Sequence, residues 1–157
     1  MDPSFTESAA QDRLVALAKD TLGTLPVGTE LTRDNPTLGR TPRFRTSRTL
    51  PCDDNDQTGA GPVNLQFERW VQGTLPEQAN GHLDAALALW KGRGWSVRDD
   101  GKPSLRQVRA FTDDGYALTL YSNDIGYLTL AGSSPCFPRA NTGAGTPLPA
   151  TILRGDR

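Results

Sequence analysis

Apolar residues recur along this chain with two different spacings, and the places where the spacing changes mark out its elements. Ala10, Leu14, Leu17, Ala18 and Leu22 keep the i, i+3/i+4 rhythm of one helix face. Ser4 followed three residues later by Glu7 reads as a capping box and Gly23 as a stop, so the spacing predicts a helix over residues 4–22. A second stripe, Leu83, Ala86, Leu87 and Trp90, follows Thr74-Leu75-Pro76-Glu77, whose proline suits a first helical turn, and it runs out at Gly92 and Gly94. Gly81 leaves the start of that second helix loosely defined.

Elsewhere the period is two. Val63, Leu65, Phe67 and Val71 alternate with Asn64, Gln66, Glu68 and Trp70, which predicts a half-buried strand over 62–72. Arg69 falls on the apolar side of that strand and suggests a bend or an end there. Residues 95–131 read as a meander of four strands, 95–99, 105–112, 116–122 and 127–131. Asp100-Gly101, Asp114-Gly115 and Asn123-Asp124-Ile125-Gly126 separate them, because these residue types tolerate the positive φ that right-twisting hairpins need. Two further strand candidates, 29–33 and 43–50, lie in a stretch rich in glycine and proline that ends in the loop DDNDQTGAG at 53–61.

Together these patterns predict a single α+β domain over residues 1–136, with two helices packed on one face of a mainly antiparallel sheet of four to six strands. After Cys136 glycine and proline dominate, and residues 137–157 read as a tail, docked through Leu148, Ile152 and Leu153 or mobile.

Composition changes this picture in three ways. A length of 157 residues suffices for one domain with its own core, while 36% hydrophobic content, low for such a chain, agrees with a share of loop. A net charge of −1 creates no long-range field to draw nucleic acid or anionic lipid. No run approaches the roughly 18 apolar residues of a membrane span, and the start lacks a basic-then-apolar leader. Lysine occurs only at Lys19, Lys91 and Lys102, an arginine bias that reads as GC-rich coding.

The candidate chemistry is sparse. Cys52 and Cys136, 84 positions apart, have neither metal-ligand nor redox spacing, and each follows a predicted strand end beside proline. A disulfide between them is expected; two unrelated thiols are the alternative. Closing so long a loop would stabilise by roughly 4–5 kcal/mol in the chain-entropy picture, and it implies an oxidising compartment. Asp53, Asp54 and Asp56 form the best candidate for Ca²⁺, although the EF-hand pattern is missing and solvated loop acids are the favoured reading. No cofactor is expected.

His82 is the only histidine, and no G-x-S-x-G motif accompanies it, so a surface histidine is favoured. A hydrolase acting on envelope components is the rival, and it would have to join His82 to a carboxylate and a nucleophile. Arg40, Arg43, Arg45 and Arg48 form a basic run that suits a phosphate or acidic-partner surface, with an exposed strand defended by charge against aggregation as the favoured reading. Tyr116, Tyr121 and Tyr127 can line a sheet face or pack across strands.

Leu50-Pro51-Cys52-Asp53-Asp54, a helix running into Trp90-Lys91-Gly92-Arg93-Gly94-Trp95, the strand starts Gly115-Tyr116-Ala117-Leu118 and Gly126-Tyr127-Leu128-Thr129-Leu130, and Ser134-Pro135-Cys136 follow one another in a familiar order. Over about residues 45–138 the chain resembles the small LppA-like cell-envelope lipoproteins of actinobacteria. The resemblance implies export, a lipid anchor on an N-terminal cysteine, one disulfide and no established activity. Cysteine stands only at 52 and 136, so the anchoring cysteine and any leader would lie outside these residues. The expectation is a non-catalytic, extracytoplasmic domain. Its outer sheet face and the Arg43, Arg45 and Arg48 segment, with Tyr116, Tyr121 and Tyr127, would meet an envelope protein or a small ligand, and no nucleic acid.

Overall fold

The computed structural model describes residues 1–34, 44–53, 55–101, 105–143 and 145–154. In chain order the elements are α1 (Glu7–Leu22), β1 (Glu30–Thr32), β2 (Arg48–Pro51), β3 (Val63–Gln72), α2 (Ala79–Gly92), β4 (Ser96–Asp100), β5 (Gln107–Phe111), β6 (Ala117–Ser122), β7 (Leu128–Ser133) and β8 (Thr151–Leu153). All the described strand pairs are antiparallel, and they join eight strands into one sheet of order β4-β5-β6-β7-β3-β1-β8, with β2 also paired to β3. The α+β architecture is therefore that expected, with more strands than four to six. β1 falls inside the candidate 29–33 and β2 overlaps the end of 43–50, while β8, in the segment read as a tail, is an addition.

Register explains how the two faces divide. Ala110, Leu118, Gly132 and Phe67 stand in one row across β5, β6, β7 and β3, and Val108, Leu120, Leu130 and Arg69 in the next. These rows face the helices. Both helices lie on this side, α1 over β3, β7 and β8, and α2 over β4, β5 and β6. Leu14, Leu17 and Leu22 of α1 and Leu83, Ala86 and Trp90 of α2 are buried there. Trp90 Nε1 donates to Thr21 Oγ1 at 3.3 Å, so the two helices are tied where they meet. Gly132 is required by this packing: a Cβ at that position would sit 2.5 Å from the Phe67 ring and 3.1 Å from Leu14 Cδ2.

The helix starts differ from the sequence reading. Thr6, in place of Ser4, caps α1 by accepting from the Ala9 N–H, while Glu7 accepts from Gly143 N–H and Gln11 Nε2. Residues 76–78 form a 3₁₀ turn ahead of α2, with no side-chain cap. Of the candidate strand 43–50, residues from Arg48 onward pair with β3, and position 43 lies outside the described residues. Beyond Cys136 the chain returns to the domain: Phe137 bridges Val63, Leu148 and Ile152 are buried, and β8 pairs with β1.

Arg69 neither bends nor ends β3. The strand runs through it to Gln72, and the side chain is fully buried. Gln66 pairs with both β7 and β2, and Trp70 with both β7 and β1, so β1 and β2 lie end to end along one edge of β3. Arg69 stands opposite the gap between them. Its Nη1 donates to the carbonyls of Arg45 (3.1 Å) and Glu68 (2.9 Å), its Nη2 to Thr46 (2.7 Å) and Pro149 (2.9 Å), and its Nε to Pro149 (3.3 Å). Burial, with the nearby Arg33 charge, pushes this guanidinium down to about 10, so it remains charged at neutral pH.

Replacing Arg69 with methionine keeps the apolar stem and strands those carbonyls. The expected loss is at least about 3 kcal/mol, given roughly 1.5–3 kcal/mol for each hydrogen bond to a charged group. Urea unfolding of the purified variant measures it. A loss below about 1 kcal/mol would show that the three segments hold together without the guanidinium.

Candidate functional site: an arginine-rimmed cleft on the outer sheet face

The face turned away from the helices carries the other parity. Gln107, Tyr121, Thr129 and Trp70 form one row, Arg109, Thr119, Ala131 and Glu68 the next, and Phe111, Ala117, Ser133, Gln66 and Arg48 a third. Small residues at the centre, Ala117, Thr119, Ala131 and Ser133, leave a depression between taller side chains on β5 and β3. The segment leading into β2 walls one side. The result is a cleft of about 360 Å³ lined by these small residues with Phe44, Arg45, Ser47, Arg48, Gln66, Glu68 and Arg109.

Local structure holds that wall in place. Phe44 N–H donates to the Arg33 carbonyl (2.9 Å), Arg33 Nε donates back to the Phe44 carbonyl (2.6 Å), and the Phe44 ring stacks on Trp70 at 5.2 Å between centroids. Arg69 grips the carbonyls of Arg45 and Thr46 from the inner side. On the opposite rim Arg109 and Arg98 lie 5.4 and 5.9 Å from the Phe111 ring.

The charge of this face is uneven. Among the described residues, no carboxylate lies within ion-pair distance of Arg45, Arg48, Arg98 or Arg109, whereas Arg13, Arg93, Arg106 and Arg139 each have an acidic partner. Among the described residues Glu68 is the one acid lining the cleft. Asn64 Oδ1 and Trp70 Nε1, on the same side of β3, are buried without a hydrogen-bond partner. Burial raises the Tyr121 phenol, the Glu68 charge raises it further, and a hydrogen bond with Thr129 opposes both.

Arg45 and Arg48 are exposed on the cleft wall, Tyr121 adjoins the cleft through its own row, and Tyr127 is half-buried one row further from the cleft, opposite Asn123. Arg43 and Asp54 lie outside the described residues. Tyr116 does not reach this face. It is 4% exposed and packs on the inner side, edge-on to Phe5 at 6.4 Å, with Arg13 6.0 Å from its ring. Its phenol is pushed up to about 12, mainly by burial. Arg109, Arg98 and Glu68 were not singled out in the sequence, although their outward parity on β5, β4 and β3 was a usable signal.

Asp53 and Asp56 bond to backbone N–H groups of their own loop. Asp53 accepts from the Asn55 N–H at 2.9 Å. Asp56 accepts from the N–H groups of Gly59 and Gly61 (3.1 Å each) and pairs with Arg139 at 3.1 Å. Among the described residues, no three His, Cys, Asp or Glu side chains converge as a metal site. His82 sits on α2, hence across the sheet from the cleft; burial lowers its pKa, and its Nε2 is buried without a partner.

Cys52 and Cys136 form a disulfide, with Cα atoms 6.3 Å apart. Cys52 N–H donates to the Pro62 carbonyl, and Phe137 pairs with Val63, so the bond joins the chains flanking the start of β3. It pins the β2 side of the cleft to the β7 side. Replacing both cysteines with serine is expected to cost roughly 4–5 kcal/mol in urea unfolding; a loss below about 1 kcal/mol would mean the loop is held by packing alone.

Asp56 gives a separate acid-limb expectation. Burial raises its carboxyl, but the Gly61 and Ala60 N–H groups and Arg139 outweigh that and hold it below the usual range. A folded value below the unfolded ~3.9 stabilises the protein above about pH 4, and this contribution disappears as pH falls through the folded value. The stability gap between wild type and Asp56→Asn should therefore be constant near neutrality and shrink below about pH 4. A gap independent of pH would exclude this carboxylate as the source.

No known protein family and no curated protein matches the sequence. Among solved structures the chain is similar to a DUF4853 family protein from Actinomyces odontolyticus, with a TM-score of 0.50 over 92% of this chain and 72% of that one, at 10% sequence identity. At that identity the likeness concerns the fold.

Proposed function

We propose that this protein is an exported, non-catalytic binding domain of the bacterial cell envelope, of the LppA-like lipoprotein kind, and that it meets its ligand or partner through the outer face of its sheet. The observation that carries the reading is the cleft itself: a concave site on the face the helices leave open, rimmed by arginines that have no acidic partner among the described residues. Stability alone gives no reason to gather like charges there, since neighbouring cations repel. The disulfide supports an oxidising location, and the structural neighbour comes from an actinobacterium. No described helix is long and apolar enough to cross a membrane, so attachment would rest on a lipid anchor outside these residues.

Two measurements test this. The full gene product, expressed in an actinobacterial host, should fractionate with the envelope, with Cys52 and Cys136 blocked to a maleimide probe before reduction. Recovery in the cytosol with two titratable thiols would remove export. A photo-crosslinking residue at Thr119, on the cleft floor, should give adducts in the cell, and one at the exposed Ala88 of α2 should not. Equal yields from both, or none from Thr119, would overturn the outer-face assignment.

A further inference from the structure

The cleft also restricts what it can hold. This step rests on the outer face being the binding surface. The volume of about 360 Å³ lies at the lower end of the ~300–1,000 Å³ range of small-molecule sites. Strands sit about 4.8 Å apart, so β5 and β2, four steps apart through β6, β7 and β3, hold their backbones roughly 19 Å from each other. Arginines thus reach in from two opposed rims, Arg109 from one, Arg45 and Arg48 from the other. Arginine presents a planar fork of N–H donors that fits a carboxylate or a phosphate in a bidentate way. Glu68 lies between the rims and repels a bare anion, yet it accepts hydrogen bonds from hydroxyl groups. Thr119 and Ser133 on the floor both donate and accept.

We propose that the cleft binds a small polyhydroxylated organic anion, its carboxylate or phosphate on the rim arginines and its hydroxyls on Glu68, Thr119 and Ser133. A long acidic peptide fits less well, because the Glu68 carboxylate in the lining stands in its path and the depression is short.

The test is an NMR titration of the intact domain with five probes: glucuronate, glucose 6-phosphate, neutral glucose, inorganic phosphate and a pentaglutamate peptide. The two hydroxylated anions should shift the amide signals of Thr119, Ala131 and Ser133, and their relative affinities tell carboxylate from phosphate. Glucose and inorganic phosphate should bind at least about tenfold more weakly, each lacking one half of the recognition. Arg109→Gln and Arg48→Gln should each weaken the hydroxylated anion about tenfold, with an unchanged fold, since neither side chain is in the core. Glu68→Gln should narrow the preference over inorganic phosphate. Equal binding of glucose, no response to either hydroxylated anion, insensitivity to Arg109→Gln, or tighter binding of a pentaglutamate peptide would each overturn the proposal. Were the anions to fail while Thr119 still cross-linked in cells, the surface would stand and this ligand class would fall.

Discussion

The buried guanidinium of Arg69 is the interaction on which the rest of this fold turns. Moving a full charge out of water is costly unless its donors are satisfied. Here five hydrogen bonds to four main-chain carbonyls meet that demand with no carboxylate. The carbonyls come from β3 itself, from the segment before β2 and from the approach to β8. One side chain therefore fixes three stretches that the sheet ladder alone would not hold in relation to each other. The edge of β3 is covered by two short strands with a gap between them, and Arg69 fills that gap from the inner side while the backbone at Arg45 and Thr46 closes it.

The disulfide works at the other end of the same strand. Cys52 leaves β2 and Cys136 follows β7, and both flank the beginning of β3. Between the covalent tie and the guanidinium, β2 is held at both ends: by the Arg69 bonds at Arg45 and Thr46, and by sulfur after Pro51. That explains how four residues of edge strand with mostly exposed side chains stay in register. It also means the cleft wall is positioned by groups that take no part in lining it, Arg69 on one side of the sheet and the cysteines beyond its end.

Much of this was legible in the chain. Long periodic stretches declared themselves: α1, α2, β3 and the four-strand meander lie within a few residues of where alternation and helical spacing put them. Burial drives that pattern, so elements that bury a whole face are visible. β1 lay inside the candidate 29–33, β2 only overlapped the end of 43–50, and β8 was missed, because three or four paired residues contain too little period to set bounds. Ser4 and Thr6 are both able caps, and only the tertiary contact of Glu7 with Gly143 shows which turn comes first. Arg69 was misread for a physical reason: an arginine on an apolar face looks like an interruption until its distant acceptors are known. Tyr116 shares the parity of Leu118 and Leu120, so alternation itself points it inward; grouping it with Tyr121 by residue type overlooks that signal.

The cleft was only half visible for a different reason. The same alternation that builds the core also builds the outer face, so each core row predicts a row of outward side chains one residue away. Reading only the inward rows discards that information. Net charge hides it further. A total of −1 averages every group on the molecule, whereas at physiological ionic strength charges more than about 8 Å apart scarcely feel one another through solvent. The outer face has its own local balance, Arg45, Arg48 and Arg109 against Glu68 among the described residues, and that balance is positive. Asp20, Asp56, Asp84, Asp99 and Asp114 are spent elsewhere, on Arg13, Arg93, Arg106 and Arg139. The positive patch of a near-neutral protein is thus decided by strand pairing, which brings β5 and the segment entering β2 to one face and leaves their arginines without an ion-pair partner among the described residues.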